Sequence, residues 1–252
     1  GLADEVEPSG NIPLKELFLD TGLHAAIYEE TLIGYPFYFE TSALLYNKTY
    51  LEQMAIQALE AEAVRAAEEA GELEPDAGQE EGSGEEGTES ADATWEEQFT
   101  KEQIDGKIKE LLPTTIEEIR AFADSYDAPE QVEGVFKWDV TDIFYNYFFI
   151  GSAVNMGGEA GWDTSQIDIY NQAAIKSLRV YQDLNQFFSI DTGTSSYESI
   201  MQEFMEGKMV FTMATSDAVS MLEQAKAEGT FPYEYGIALA PDINEELKGR
   251  SL

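Results

Sequence analysis

Cysteine is absent from this 252-residue chain, which removes thiol catalysis, cysteine-ligated metals and disulfides together. It does not fix a compartment, because secreted bacterial proteins often lack cysteine too. Histidine is nearly absent: His24 stands alone in a helical region, without an acid or nucleophile at recognisable spacing, and reads as structural or surface. Positive charge is scarce, with 14 Lys and Arg against 50 Asp and Glu and a formal net charge of −36. Such a field repels nucleic acid and anionic lipid and leaves neutral small molecules unaffected. No apolar run reaches the length of a transmembrane helix. The start, Gly1-Leu2-Ala3-Asp4-Glu5, has neither the basic nor the apolar region of a signal peptide. The chain opens in a polar loop and stops at Gly249-Arg250-Ser251-Leu252, just past a strand-like segment, so we read it as a fragment of a longer protein. Phosphate loops, dinucleotide fingerprints and zinc motifs are missing. Acids are so plentiful that a carboxylate pair suited to glycoside hydrolysis proves nothing. Nothing here points to an enzyme, a cofactor or a metal.

What is present is a foldable pattern. Hydrophobic residues make up 43% of the chain, enough for a core of one large domain or two small ones. Residues Leu14–Tyr28 predict a helical region with a break at Gly22, and Thr31–Tyr46 predict one or two strands around Gly34-Tyr35-Pro36. Lys48–Ala70 is Ala-, Glu- and Gln-rich and favours helix. A helix follows over Lys101–Leu111, and Thr115 with Glu118 has the spacing of a capping box for another. Val132–Trp138 predicts a strand, Thr141–Ile150 an unusually aromatic helix, and Gly157-Gly158 its end. Asn171 is placed to cap a helix through Phe187 with Ala174, Leu178, Tyr181 and Leu184 on its apolar face. Helix Tyr197–Glu206, a break at Gly207-Lys208 and strand Met209–Ala214 come next. A helix capped by Thr215, Ser216 or Asp217 then runs to Ala227, before a last strand, Tyr235–Ala240. Helices alternating with short strands indicate α/β architecture.

Between Glu72 and Glu97 lie eleven acids and no Lys or Arg, with Gly and Ser interspersed. That composition cannot bury enough apolar surface to offset its ordering entropy. We read the tract as an acidic surface insertion, solvated and disordered, with calcium or cell-wall binding as the functional alternative.

The most informative stretch is Leu32–Lys48: β-rich, aromatic, turned by Gly34-Tyr35-Pro36 and carrying one acid, Glu40, in an apolar run. A carboxylate there must be paired, hydrated or used. This segment, closing in Leu45-Tyr46-Asn47-Lys48, resembles the strand crossing between the lobes of extracellular solute-binding proteins of carbohydrate ABC importers, the maltose-binding type above all. Three further pieces follow in the family's order: Pro113–Ile119, the aromatic Phe144–Gly158, and Phe204-Met205-Glu206-Gly207-Lys208 leading into strand Met209–Met213. The resemblance covers nearly the whole chain except Glu60–Glu110.

The resemblance implies a type II periplasmic-binding-protein-like α/β fold, here a fragment with the hinge strand and most of the second lobe. Residues 1–46 would be the end of lobe 1 with the crossing strand, 47–111 a helix plus the acidic insertion, 112–240 lobe 2, and 241–252 the return to lobe 1. It implies a sugar or oligosaccharide ligand, a permease partner, a monomer, and a location outside the cell on a lipid anchor absent from this chain, or in a periplasm. A sugar site needs flat aromatic faces and acids or amides that accept from hydroxyls. Tyr35 matches a ring-contacting Tyr, with packing on the hinge as the alternative. Glu40 matches a cleft acid, with a hinge salt bridge as the alternative. Tyr147 matches a cleft Tyr, and Tyr145 is able to serve instead. Trp138, at a strand end, is either a ligand contact or core, and Trp162 is a candidate lid aromatic. Thr215, Ser216 and Asp217 open a helix toward the expected cleft. Family members often carry Gly-x-Trp there, so the missing aromatic argues against maltodextrin specificity.

Rival readings are a peptide or polyamine ligand, which the acids allow, a glycoside hydrolase fragment, and an interaction protein using the acidic tract. Deleting Glu72–Glu97 should cost about 1 kcal/mol or less, because loop-closure entropy changes slowly with length. A collapsed unfolding midpoint in the deletion variant would show that the tract is packed.

Overall fold

The structure is a computed structural model and describes residues 13–28, 31–36, 41–70, 98–141, 150–158, 161–188, 193 and 195–244. In chain order the elements are α1 (Leu14–Leu17), α2 (Asp20–Ala25), β1 (Ile27–Tyr28), β2 (Thr31–Leu32), β3 (Ser42–Asn47), α3 (Lys48–Glu69), α4 (Lys101–Leu111), α5 (Ile116–Ser125) and β4 (Gly134–Lys137). They continue with β5 (Asn155–Met156), β6 (Ile167–Asp168), α6 (Gln172–Phe187), α7 (Tyr197–Met205), β7 (Met209–Thr215), α8 (Asp217–Ala227) and β8 (Tyr235–Ala238). Two compact units emerge: Gly1–Tyr46 with Pro113–Pro232 and Ile237–Leu252, and Asn47–Leu112 with Tyr233–Gly236. The acidic tract and the core of the aromatic segment, residues 142–149, lie outside the described residues.

The first unit is built on a mixed sheet in the order β4-β7-β3-β8. β7 runs parallel to β4, with Gly134 opposite Met209 and Phe136 opposite Phe211. It runs antiparallel to β3, with Ser42 opposite Thr215 and Tyr46 opposite Phe211. All seven residues of β7 are buried. That is why Met209–Ala214 reads as a continuous apolar run rather than an alternating one: both faces are covered. Helices α7 and α8 pack on β7, and α5 packs on β4. The aromatic core joins Phe136 stacked on Trp138 at 5.0 Å, Phe122 edge-on to Phe211 at 5.0 Å, and Trp138 edge-on to Tyr181 at 6.0 Å.

Local chemistry accounts for most helix ends. Thr115 Oγ1 accepts from Glu118 N (3.1 Å) while Glu118 Oε2 accepts from Thr115 N (3.2 Å), the reciprocal capping box expected from the spacing. Asn171 Oδ1 accepts from Ala174 N at 2.9 Å and so caps α6. After α7 the chain turns through Gly207 at φ 76, where Gly207 N donates to Phe204 O and Lys208 N to Glu203 O. A left-handed residue at that place suits glycine and ends the helix in hydrogen-bonded order. Lys208 O then accepts from Glu133 N and Gly134 N, which sets β4 beside β7.

Three expectations are corrected. The break in the first helical region falls at Phe18-Leu19, and Gly22 lies inside α2. A Cβ on Gly22 would meet Pro36 Cβ at 3.1 Å, so its smallness serves close packing rather than a break. Leu178 is 49% exposed, because the inward stripe of α6 passes through Ala174, Ser177, Tyr181 and Leu184 instead. Ser177 is tolerated there by donating back to Ala173 O at 2.9 Å. The start of α8 has no side-chain cap: Ser216 holds the cap position in helical backbone and makes no side-chain cap bond.

The second unit pairs α3 with α4 around Tyr50, Leu51, Ala55, Ile104 and Ile108. Asn47 Oδ1 accepts from Tyr50 N at the start of α3. Lys48 Nζ donates to Asp105 Oδ1 at 2.8 Å, and Lys107 bridges Glu62 (2.9 Å) and Glu110 (2.6 Å). The Lys48 hydrogen bond holds the Asp105 carboxyl below its ordinary value of 3.8. A carboxyl lowered by folding stabilises above its unfolded value and loses that contribution as pH falls through the folded one. Asp105→Asn should therefore destabilise the protein at pH 7 by less than about 1 kcal/mol, as surface pairs do. That difference from wild type should vanish as acid takes pH below 3.8 and through the lowered value, and urea unfolding across this range checks it.

Candidate functional site

Because β4 and β7 are parallel, their carboxyl ends leave the sheet at one edge, and the antiparallel β3 begins there at Ser42. In open α/β sheets that edge is where ligands are held, because chains leaving several strands converge there. Residues 138–141 and 215–217 occupy it, together with Tyr197, the first residue of α7.

Asp139 is buried and its carboxylate is well supplied with donors. Oδ1 accepts from Thr141 N at 2.9 Å and Thr141 Oγ1 at 2.7 Å, and Oδ2 accepts from Tyr197 N at 3.1 Å. A charge removed from water in this way is tolerable because its lone pairs are occupied. The knot ties the end of β4 to the start of α7. From there the Tyr197 hydroxyl donates to Asp217 Oδ1 at 3.2 Å, and the Thr215 hydroxyl donates to the same oxygen. Thr215 and Tyr197 are buried, whereas Ser216 and Asp217 are exposed. Behind the knot, Tyr181 donates to Val140 O at 3.0 Å. Burial, with the nearby Asp139 charge, pushes the Tyr181 phenol above its ordinary value.

The predicted residues fall into four groups. Thr215, Ser216 and Asp217 come together at the sheet edge. Tyr35 and Trp162 are half-exposed on loops with ring partners of their own: Tyr35 lies 6.3 Å from Phe18, and Trp162 4.8 Å from Tyr28. The Trp162 loop is tightly built, since Asn155 Oδ1 accepts from Gly157 N and Gly158 N and a Cβ on Gly157 would meet Gly161 C at 2.8 Å. Glu40, Tyr145 and Tyr147 lie outside the described residues. Trp138 is corrected: it is 0% exposed between Phe136 and Tyr181, and a ring with no open face is core. Thr215 likewise spends its hydroxyl inside the protein. Tyr197 went unnoticed in the sequence, where it reads as an ordinary first helical residue. The only signal was the Ser196–Ser199 capping spacing, which marks the helix start and not the reach of the ring.

Asp139→Ala should cost about 2–3 kcal/mol, because three donors lose a charged acceptor in a buried place. Urea unfolding measures it, and an unchanged midpoint would mean that the knot does not hold the sheet edge.

No family model matches the chain, and no curated protein does either. Solved structures do. A cyclo/maltodextrin-binding protein complexed with maltotetraose superposes with a TM-score of 0.55 at 17% identity, over 95% of this chain and 45% of the other. The extracellular solute-binding protein from Staphylococcus aureus in complex with maltose gives 0.54 at 18% identity, over 96% and 48%. The Thermus thermophilus maltotriose binding protein gives 0.52 at 17%, over 91% and 44%. The chain spans less than half the length of these structures. Its α/β fold is that of the type II extracellular solute-binding proteins.

Proposed function

We propose that the full-length protein is the extracellular substrate-binding subunit of an ABC importer, capturing a sugar or oligosaccharide and delivering it to a permease. The observation that carries this is the similarity of nearly the whole chain to three binding proteins in complex with maltotetraose, maltose and maltotriose. The reading places the protein outside the cell or in a periplasm, as a monomer held to the membrane by a lipid anchor outside these 252 residues. Ligand would close two lobes on itself, shifting the equilibrium only by its preference for the closed state. Asp217 and Ser216 at the sheet edge supply hydroxyl acceptors and donors, Tyr35 and Trp162 supply ring faces, and Glu40, Tyr145 and Tyr147 complete the proposed site. A non-enzymatic role agrees with the binding proteins it resembles.

Calorimetric titration of the full-length protein with maltose, maltotriose, maltotetraose, cellobiose and raffinose, and separately with spermidine, tests the reading. A sugar should bind, and spermidine should not. Binding of spermidine alone would turn the assignment toward cationic ligands, which the acidic composition suits. With the bound sugar, Glu40→Gln should weaken affinity about tenfold or more, as loss of a charge-assisted bond does, and Asp217→Asn by less. Glu40→Gln binding as wild type would return Glu40 to a hinge salt bridge.

A further inference from the structure

We infer that Tyr197 and Thr215 are positioning residues that aim the Asp217 carboxylate, presenting its second oxygen to the ligand as a fixed acceptor for a sugar hydroxyl. The inference rests on the carbohydrate reading above and adds to it a specificity device. Both hydroxyls converge on one oxygen, Asp217 Oδ1. Thr215 Oγ1 also lies 3.3 Å from the Tyr197 hydroxyl, so the two hydroxyls and Oδ1 form one cluster, and with the single hydrogen of each turned to the charged acceptor Oδ1 receives two hydrogen bonds from buried groups. The other oxygen, Oδ2, has no hydrogen-bond partner among the described residues, and the residue is exposed.

An exposed aspartate ordinarily samples several rotamers, and fixing one on binding costs side-chain entropy. Here the cost is met during folding. Thr215 is the last residue of a fully buried strand, and Tyr197 is held through its own backbone N–H by Asp139 Oδ2. The carboxylate is thus referenced to two strand ends at once, β4 through Asp139 and Tyr197, and β7 through Thr215. A carboxylate oxygen accepts and cannot donate, so the arrangement selects ligands that offer a hydroxyl hydrogen at this point and disfavours anions.

The test is calorimetry on the full-length protein with maltotetraose, or with cellobiose or raffinose if maltotetraose does not bind the wild type. Tyr197→Phe and Thr215→Val each remove one hydroxyl and keep the shape, and each should weaken binding about three- to tenfold. Thr215→Ser keeps the hydroxyl and should bind as wild type. In an Asp217→Asn background Tyr197→Phe should have little further effect, because both changes act through one carboxylate. A merely structural tyrosine would lower the unfolding midpoint and weaken binding equally in both backgrounds, and that result overturns the inference. So does wild-type affinity in Tyr197→Phe and Thr215→Val. If no sugar binds the wild type, the carbohydrate reading fails and this inference falls with it, whereas sugar binding that ignores all these variants removes the positioning role alone.

Discussion

The burial of β7 on both faces is the constraint from which the first unit follows. A strand with seven buried residues cannot slip by one position without driving Thr212 and Thr215 into the apolar places of Phe211 and Ala214. Its register therefore holds its neighbours: β4 in parallel on one side and β3 in antiparallel on the other. Because the strands are locked at their middles, their ends arrive at defined places. Asp139 and Thr215 meet Tyr197 at one edge for that reason and not because any local motif brings them there. The ring stack of Phe136, Trp138 and Tyr181 reinforces the same edge from inside.

Polar groups at this edge are divided by depth. Asp139 and Thr215 are buried and bonded within the protein, where leaving a donor or acceptor unmade costs more than making it gains. Asp217, two residues beyond Thr215, reaches the surface while one of its oxygens stays tied to the buried pair. A buried polar network that ends in one exposed oxygen is rigid at its base and available at its tip. This is what a scaffold needs if loops are to carry recognition on a rigid frame.

Identities of 17 and 18% with TM-scores of 0.55 and 0.54 show how little side-chain identity this fold requires. In this chain the fold is placed by an apolar run for the doubly buried strand, Gly207 for the left-handed turn before it, and a capping box at Thr115 and Glu118. Each is fixed by backbone geometry or burial, and each has few chemical solutions.

Much of the fold was legible in the sequence because its signals are local. Capping at Thr115 and Asn171, the helix stop at Gly207 and the apolar run of β7 each need only a few neighbouring residues to declare themselves. The Leu32–Lys48 segment and the Phe204–Lys208 turn also carried the resemblance that the superposed structures bear out. What the sequence left undecided depends on residues far apart in the chain. Whether Trp138 is core or contact turns on rings at Phe136 and Tyr181, and whether Gly22 breaks a helix or makes room turns on Pro36. Leu178 or Ser177 as the inward residue of α6 is a matter of a small rotation of the helix, settled by what it packs against. The site shows the same division. Asp217 stood out by its position at a helix start, but its two hydroxyl partners lie two and twenty residues away. Thr215 is a near neighbour, but Tyr197 reaches the same oxygen through the fold, held by Asp139 at the end of β4 beside β7, because hydrogen bonds act over a few ångströms and sequence separation carries no record of them.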